Sequence, residues 1–449
     1  MRRLVAAIVA ALLDTVLAAM PLTTAAQPAQ QWISTWTASV QGPYPVGNAS
    51  AQPDLRFAFP DPARGARDQT LRLIVRPDLW GTRFRLRFSN AFGTRPVILG
   101  DVHLGVQLSG AALVPGTNRA VTFGGHTRIS VPAGGAAITD AVELPIAPAT
   151  LDGRKLAISF HVVGDSGPMT WHAKALTSSY LTPPGTPTAA AAEDESRFPY
   201  STASWFFLDA VDVMAPADTR LVVAFGDSIT DGTASTMNGD DRWPDVLSRR
   251  LHARHGNAVA VVNAGIGGNQ VVGPAAYGPD QPYPGGPAAV QRLERDVLGV
   301  SGPVAAVIWL EGINDFSKNG NASVEAVTAG MREAVGRMRA KWPGVRVIGA
   351  TVTSALGSSS PAHGFAEQDA KRQALNDVIR NGGLFDGVAD FDRATLDPGS
   401  GGIRAEFVPE STTGGPGDKL HPNRAGYLAM GQAIDLDLLL PKPLRAAGR

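Results

Sequence analysis

The first residue that could do covalent chemistry is Ser228, in the middle of the pentapeptide GDSIT (226–230). This pentapeptide directly follows the apolar run Leu221–Phe225, which predicts a turn at the end of a buried strand. A serine hydroxyl is a poor nucleophile until a base takes its proton. Ser228 therefore indicates acyl transfer only if a base lies nearby. The alternative is an ordinary strand-to-helix turn in which Ser228 caps the helix.

A candidate base lies in the hexapeptide DKLHPN (418–423), immediately before a predicted last helix. Histidine is the side chain that most often moves protons in catalysis, so His421 is the natural base for Ser228. Asp418, three residues earlier, can reach the far ring nitrogen and fix its tautomer. By itself the pair is weak evidence, because both residues could simply cap the helix.

Two further motifs follow other apolar runs: NAGIGGN (263–269) and GIND (312–315). Glycine lets the backbone approach a ligand closely, and Asn314 offers a side-chain N–H. The backbone N–H groups of Ser228 and Gly268 and the amide of Asn314 could together form an oxyanion hole. Taken singly, each motif is more often a plain loop turn.

The elements that must position these motifs follow from the patterning of the second half of the chain, where short apolar runs alternate with helical segments. Such alternation predicts a parallel sheet covered by helices on both faces, with ligands bound at the carboxyl ends of the strands. The predicted strands are Leu221–Phe225, Val259–Val262, Val304–Leu310 and Val345–Thr351. The predicted helices are Trp243–His255, Ala289–Leu298, Ser323–Trp342 and Asn423–Leu440.

The first half of the chain (residues 32–213) has mostly period-two patterning, as in the stretch 83–88, where arginine and apolar residues alternate. Many short strands with Gly and Pro between them predict an antiparallel β-sandwich. The segment 183–199, rich in Pro, Thr and Ala, predicts a mobile surface loop. We place the domain boundary at 214–219, so that the second domain spans 219–441.

In combination, the motifs occur in the order Ser, Gly, Asn and Asp-x-x-His, which resembles the SGNH/GDSL hydrolase superfamily of esterases and lipases. Its signature residues match Ser228, Gly268, Asn314 and His421, and the resemblance covers about 221–440. The resemblance implies an α/β fold: a three-layer flavodoxin-like hydrolase domain with a parallel sheet, preceded by an antiparallel, jelly-roll-like β-sandwich. It also implies a serine nucleophile, glycine and asparagine as oxyanion donors, and the aspartate–histidine pair as base.

Residues that select the substrate are less clearly indicated. Glu311 departs from the superfamily pattern, which often has a small or apolar residue there, and so puts substrate detail in question. Tyr277 and Tyr283, in a long Gly- and Pro-rich segment, are candidates for the acyl or alcohol pocket, with surface decoration as the alternative. The tryptophans of the first half either form a sugar-stacking platform or, more commonly, belong to the core: Trp32, Trp36, Trp80 and Trp171.

The composition excludes several functions. Basic and acidic residues number 40 each, so the net charge of zero argues against a nucleic-acid partner. The absence of cysteine excludes disulfides, thiolate metal sites and a cysteine nucleophile. No metal and no other cofactor is implied by the motifs. Other polar residues are predicted to be surface or structural hydrogen-bonding groups: Asp227, Asp315, His103, His126, His161, His172, His252, His255 and His363.

Residues 1–26 have the layout of a secretory signal peptide, with Arg2 and Arg3 before an apolar segment and small residues before Gln27. An uncleaved anchor is disfavoured, because the apolar segment is shorter than the roughly 20 residues needed to span a bilayer. No later stretch predicts a membrane span. We therefore expect a secreted protein, extracellular or periplasmic.

The leading hypothesis is a secreted serine esterase that hydrolyses short-chain or acetyl esters, with an acylated carbohydrate as candidate substrate. A lipase for longer acyl chains is one alternative. A glycan-binding protein with an inactive hydrolase domain is another, from a different functional class. The sequence indicates no oligomeric state.

Overall fold

The structure is a computed structural model that describes residues 29–147, 150–151 and 153–440. The predicted signal peptide, residues 1–26, lies outside the described residues. We refer to residues up to Pro216 as the N-terminal region and to residues from Arg220 onward as the C-terminal region. No helix within the described residues combines the length and the apolar composition needed to cross a membrane.

The N-terminal region consists of strands and loops, as its period-two patterning predicts. Its strands are β1 (Gln30–Thr37), β2 (Arg67–Val75), β3 (Arg83–Ser89), β4 (Val97–Ser109), β5 (Ala112–Leu113), β6 (Arg119–Val121), β7 (Arg128–Val131), β8 (Ala136–Ile138), β9 (Val142–Glu143), β10 (Leu156–Asp165), β11 (Trp171–His172), β12 (Ser179–Leu181), β13 (Tyr200–Thr202), β14 (Trp205–Phe206) and β15 (Leu208–Pro216).

Most of these strands belong to two antiparallel sheets that pack against each other. One sheet has the order β1-β15-β3-β8 with β9 beside β3, and the other has the order β13-β12-β2-β10-β4-β5 with β6 and β7 beside β4. Phe84, Leu86 and Phe88 of β3 are buried between the sheets. The ring of Phe88 lies 5.1 Å from the ring of Phe160 in β10. The predicted antiparallel sheets of this region are therefore confirmed.

The segment 183–199, predicted as a mobile surface loop, packs onto the N-terminal region. Its Ala190 and Phe198 are buried. The buried guanidinium of Arg72 donates to the carbonyl oxygen of Ala192 and lies 4.1 Å from the ring centroid of Phe198. The composition suggested a loop, but these long-range contacts hold the segment in place.

Two tryptophans of the N-terminal region belong to its core. Trp171 is buried and stacks on Phe206, with ring centroids 5.8 Å apart. Trp36 is also buried and meets Trp205 edge to face at 4.8 Å. For Trp36 and Trp171 the core alternative is therefore correct.

The C-terminal region alternates strands and helices. Its strands are β16 (Arg220–Gly226), β17 (Val259–Gly265), β18 (Val304–Leu310), β19 (Arg346–Ala350) and β20 (Gly387–Ala389). Its helices are α1 (Ser228–Asp231), α2 (Trp243–His255), α3 (Ala289–Leu293), α4 (Val324–Lys341), α5 (Ala366–Asn381), α6 (Phe391–Thr395) and α7 (Arg424–Ala433).

The five strands form one parallel sheet in the order β17-β16-β18-β19-β20. Successive residues of β16 face opposite sides of this sheet. Val223 and Phe225 pack in the core that includes residues of α3, α4 and α5, whereas Val222 and Ala224 pack with residues of α2, α6 and α7. Both faces of the sheet are thus covered, as the continuous apolar runs predict.

The observed element bounds agree with the sequence in most places. Ser323 caps α4 by accepting a hydrogen bond from the backbone N–H of Ala326. α3 ends at Leu293 and continues as a π turn to Leu298. α7 ends at Ala433, earlier than predicted, and α5 and β20 were not predicted.

The N-terminal region packs along the edge strand β17 and the neighbouring loop. The hydroxyl of Thr37 in β1 donates to the carbonyl oxygen of Asn263 at 2.9 Å. The backbone N–H of Ser34 donates to the carbonyl oxygen of Ser301 at 2.9 Å. The guanidinium of Arg87 donates to the carbonyl oxygen of Gly299 at 2.8 Å. The interface therefore reaches the strand that carries the glycine-rich motif.

Candidate active site

Ser228 lies where β16 ends and α1 begins. Asp227 caps α1, because its carboxylate accepts a hydrogen bond from the backbone N–H of Ile229 at 2.9 Å. The turn requires glycine at 226. A Cβ at Gly226 would lie 2.0 Å from Oγ1 of Thr230 and 2.6 Å from the carbonyl oxygen of Leu310. The tight packing of this turn therefore fixes where the serine hydroxyl emerges.

The hydroxyl of Ser228 meets His421 across 193 positions of sequence. Nε2 of His421 lies 2.9 Å from Oγ of Ser228, and Nδ1 lies 2.6 Å from Oδ2 of Asp418. Since a carboxylate only accepts hydrogen bonds, Nδ1 carries the proton when Asp418 is charged, and Nε2 can accept the proton of the serine. The three side chains form a continuous hydrogen-bonded chain.

Asp418 is anchored by a strained turn. Its Oδ1 accepts the backbone N–H groups of Leu420 and His421, each at 2.9 Å. Lys419, between Asp418 and Leu420, has a φ of 57°, which is unusual for a residue other than glycine. Burial disfavours the charged carboxyl, but the hydrogen bonds from the imidazole and the two amides lower the pKa of Asp418 below its usual range. Asp418 is therefore a fixed carboxylate facing the imidazole.

Three residues that line the same cavity offer N–H donors. The backbone N–H of Ser228 is at the first position of α1 and so has no acceptor within that helix. Gly268 has a φ of 84°, and a Cβ there would lie 2.4 Å from Nδ2 of Asn48, so only glycine fits. The side-chain amide of Asn314 donates to the carbonyl oxygen of Asn269 at 2.9 Å, which orients it. All three residues line one cavity.

Beneath this loop lies the buried guanidinium of Arg292. It donates to Asn269 Oδ1 at 2.7 Å, to the carbonyl oxygen of Gly226 at 2.8 Å, and to Glu311 at 3.1 Å. Asp296 is a second ion-pair partner, at 3.1 Å. The departure at Glu311 thus has a structural reason, because its carboxyl pairs with an arginine that joins two of the motif strands.

Asp227 and Asp315 act as hydrogen-bond acceptors within the fold. Asp315 accepts the backbone N–H groups of Val271 and Val272, at 2.8 and 3.1 Å. Burial raises the pKa of Asp227 and of Asp315 to about 7. These contacts agree with a structural role for both, and neither is hydrogen-bonded to His421.

The cavity in front of Ser228 has a volume of about 400 Å³. Tyr283 lies on its wall, with its hydroxyl accepting a hydrogen bond from Gln270 at 2.9 Å. Most of its lining side chains are polar. They are Asn48, Ala49, Lys174, Ser228, Gly268, Tyr283, Pro284, Asn314, Ser317, Asn319, Ser360, Ala362, His363, Asp418, Leu420 and His421.

Tyr277 is not among these lining residues, and its predicted place in the pocket is corrected. Its hydroxyl donates to the carbonyl oxygen of Gly42 at 2.7 Å and accepts from the N–H of the same residue at 2.9 Å. Its ring meets Phe92 edge to face at 5.2 Å. Tyr277 therefore ties the loop of the C-terminal region to the N-terminal region.

The N-terminal region brings to the cavity two residues that no sequence motif indicates. Asn48 donates from Nδ2 to the carbonyl oxygen of Gly267 at 2.8 Å, and Lys174 also lines the cavity. Neither lies in a recognisable motif, and both are far from Ser228 in sequence. Only the packing of the two regions reveals them.

His363, predicted to be a surface or structural histidine, lies beside His421 in the cavity wall. Gln368 accepts the N–H of Gly364 with its oxygen, so its amide nitrogen faces Nδ1 of His363 at 2.7 Å and donates to it. Burial, with the neighbouring His421, lowers the pKa of His363 to about 4. His363 is thus neutral at pH 7, with its proton on Nε2.

Within the described residues, no group of three or more His, Cys, Asp or Glu side chains is arranged to hold a metal ion. A hydroxyl, an imidazole, a carboxylate and several N–H donors around one cavity are the groups needed for acyl transfer.

Comparison with known proteins agrees with this chemistry. Residues 224–429 match the model of the GDSL-like lipase/acylhydrolase family. This match, which covers a little less than half of the chain, supports a carboxylic-ester hydrolase of the SGNH/GDSL type. No curated protein matches the chain by sequence.

Several solved structures are similar to the chain. A carbohydrate acetylesterase from Sinorhizobium meliloti has 17% identity and a TM-score of 0.36, over 48% of this chain and 96% of that chain. The aryl esterase of M. smegmatis has 19% identity and a TM-score of 0.36, over 48% and 96%. A carbohydrate esterase family 2 enzyme with a carbohydrate-binding domain from Corynascus thermopiles has 16% identity and a TM-score of 0.37, over 79% and 92%. These low TM-scores carry no conclusion about substrate.

Proposed function

We propose that the protein hydrolyses esters by covalent catalysis, with Ser228 as nucleophile, His421 as general base and Asp418 as the group that orients His421. The observation that carries the proposal is the hydrogen-bonded chain Ser228–His421–Asp418, with distances of 2.9 and 2.6 Å, at the wall of a cavity. A histidine that holds a serine hydroxyl on one nitrogen and a carboxylate on the other is the arrangement that activates a serine.

The reaction has two steps. In the first, Oγ of Ser228 attacks the ester carbonyl carbon while Nε2 of His421 takes its proton. The resulting oxyanion is stabilised by the N–H groups of Ser228, Gly268 and Asn314, and the imidazolium gives its proton to the departing alcohol. In the second step His421 takes a proton from water, which attacks the acyl-enzyme. The acid leaves, and the proton returns to the Oγ of Ser228.

The preferred acyl group is short, and the alcohol is polar, such as a carbohydrate. The support is the character of the cavity wall, where amides, hydroxyls and charged groups outnumber apolar side chains. Long acyl chains need an apolar surface for their methylene groups. The aliphatic side chains that line the cavity are those of Ala49, Pro284, Ala362 and Leu420, which provide little such surface. We therefore rank a lipase below a short-chain esterase.

We propose an α/β hydrolase domain and a β-sandwich as the two domains of the protein. The strand order β17-β16-β18-β19-β20 supports a three-layer, flavodoxin-like hydrolase domain over 219–441. The two packed antiparallel sheets support a jelly-roll-like sandwich over 32–213.

We further propose cleavage after residue 26 and secretion. The mass of the mature N-terminus from the culture medium or periplasm would test this, and an intact N-terminus would refute it.

Replacement of Ser228 tests the proposed function directly. Ser228→Ala should lower kcat for p-nitrophenyl acetate by about 10⁴-fold or more, with unchanged thermal unfolding. A fluorophosphonate should label the wild-type protein at Ser228 and leave the variant unlabelled. Undiminished hydrolysis by Ser228→Ala would end the assignment. A wild-type protein that neither labels nor hydrolyses any ester would favour the glycan-binding alternative.

The acyl preference is tested with p-nitrophenyl esters of increasing chain length and with acetylated sugars. We expect kcat/KM to fall as the chain lengthens. Faster hydrolysis of long-chain esters would favour a lipase.

A further inference from the structure

Lys174 brings a positive charge from the N-terminal region into the cavity of Ser228. The residue lies just after β11 and is only 5% exposed. Its ammonium donates to Oγ1 of Thr233 at 2.5 Å, in the loop that follows α1. A Cβ on Gly267 would lie 3.1 Å from Nζ, so the ammonium also lies against the residue that precedes Gly268.

The ammonium of Lys174 has N–H donors that are not used in the hydrogen bond to Thr233. It carries three N–H groups, and its hydrogen bond to Thr233 uses one of them. Among the described residues, none forms an ion pair with Lys174. The carboxylate of Asp231 attracts the ammonium without forming an ion pair with it, and its oxygens accept from His172 at 3.1 Å and from the N–H of Gly267 at 2.9 Å.

A buried ammonium without an ion-pair partner is costly to keep. Burial lowers the pKa of Lys174, although the carboxylates of Asp231, Asp418, Asp227 and Glu410 act in the opposite direction. Cavity-lining groups in such environments are frequently functional. An anion bound in the cavity would supply the missing partner, and the interaction would be strong because little water competes for either charge.

We propose that Lys174 is a specificity-determining residue that binds a carboxylate of the substrate. This inference rests on the proposed esterase function and narrows its substrate class to esters that carry a carboxylate near the scissile bond. That carboxylate could lie on the alcohol, as in an acetylated uronate, or on the acyl group, as in a hemiester of a dicarboxylic acid. The N-terminal region would thus complete the substrate site.

Matched substrate pairs test the inference and separate the two sources of the carboxylate. One pair is a methyl glucoside monoacetate and a methyl glucuronide monoacetate. The other is p-nitrophenyl acetate and p-nitrophenyl hemisuccinate. The wild-type enzyme should prefer the acidic member of at least one pair. Absence of preference in both pairs would overturn the inference, whereas hydrolysis of p-nitrophenyl acetate alone upholds the proposed function.

The variant Lys174→Met keeps the length of the side chain and removes its charge. We expect kcat/KM for the preferred acidic ester to fall about 10- to 100-fold, the range of a hydrogen bond to a charged group, mainly through KM. The neutral partner ester should change little. Equal losses on acidic and neutral esters would instead assign Lys174 a structural role and overturn the inference.

Two measurements keep the test decisive. Lys341→Met makes the same substitution at the exposed end of α4 and should leave the preference unchanged. Competition by free glucuronate or succinate against p-nitrophenyl acetate needs no variant, so it remains informative if Lys174→Met fails to fold. We expect inhibition of the wild-type enzyme by at least one of these anions. No inhibition by either would count against Lys174 as a carboxylate site.

Discussion

Nε2 of His172, in the N-terminal region, lies 3.1 Å from Oδ1 of Asp231, at the end of the helix that begins with Ser228. Both side chains are buried. Nδ1 of His172 lies 2.8 Å from the carbonyl oxygen of Ser39, so both ring nitrogens face acceptors and both carry protons. The other oxygen of Asp231 accepts the backbone N–H of Gly267. The buried ion pair of His172 and Asp231 therefore connects the N-terminal region to the loop that bears Gly268.

This ion pair predicts a pH-dependent contribution of His172 to stability. Burial opposes the charge, but the Asp231 carboxylate raises the pKa of His172 overall. The contribution is therefore full below the unfolded-state pKa of about 6.5 and is lost as pH rises through the folded-state pKa. His172→Gln should lower the free energy of unfolding most at about pH 6 and less at higher pH, as measured by urea denaturation.

The control for this prediction is His126→Gln, which removes an exposed histidine of the same region. It should show no comparable pH-dependent difference from wild type. A stability gap between His172→Gln and wild type that stays constant with pH would mean that the imidazole is not charged in the folded protein.

Asp418→Asn should reduce kcat by on the order of 10³- to 10⁴-fold, with a smaller change in KM. The carboxamide cannot stabilise the imidazolium that forms when His421 takes the serine proton, and its NH₂ group can select the wrong tautomer. Steady-state kinetics with p-nitrophenyl acetate would measure the loss. Glu406→Gln, an exposed charge change in the short 3₁₀ helix before Asp418, should behave as wild type. Near-normal turnover by Asp418→Asn would show that His421 works without its carboxylate.

Asn314→Ala should lower kcat by about 10²- to 10³-fold, the usual cost of removing one oxyanion donor. The loss should fall mainly on kcat, because the charge on the carbonyl oxygen develops only in the transition state. Asn257→Ala, an exposed asparagine after α2, serves as the matched control. If the loss appeared in KM alone, Asn314 would be a ground-state binding residue.

The sequence predicted the strand ends and the chemistry of the candidate site because both are local. β18 and α2 were predicted with their observed bounds, since an apolar run and a helical pattern each specify their own element. α5 was missed because its buried face is largely polar, including Gln368, Arg372 and Asn376. A hydrophobic period cannot reveal a helix whose inward side chains form hydrogen bonds.

The parts of the site that come from the N-terminal region could not be read from the sequence. Asn48 and Lys174 belong to the N-terminal region, which packs beside β17, and that packing has no sequence motif. Tyr277 was misassigned for the same reason. An aromatic residue in a loop near the site could equally face the substrate or the neighbouring region. The hydrogen bonds of Tyr277 to Gly42 show that it faces the N-terminal region.

Glu311 and Arg292 form the last pair whose role can be measured. Glu311→Ala removes a buried hydrogen-bond acceptor of Arg292 and should lower the free energy of unfolding by about 3 kcal/mol, because an N–H of a buried charged group is left unpaired. Burial raises the pKa of Glu311 well above its usual range, so Glu311→Gln, which keeps an oxygen for Arg292, should cost only about 1 kcal/mol. Glu367→Ala, at an exposed pair, should change stability by less than about 1 kcal/mol. Urea denaturation measures the free energy of unfolding of all three variants. Equal losses in the two Glu311 variants would show that the negative charge of Glu311, rather than its hydrogen bond, holds Arg292.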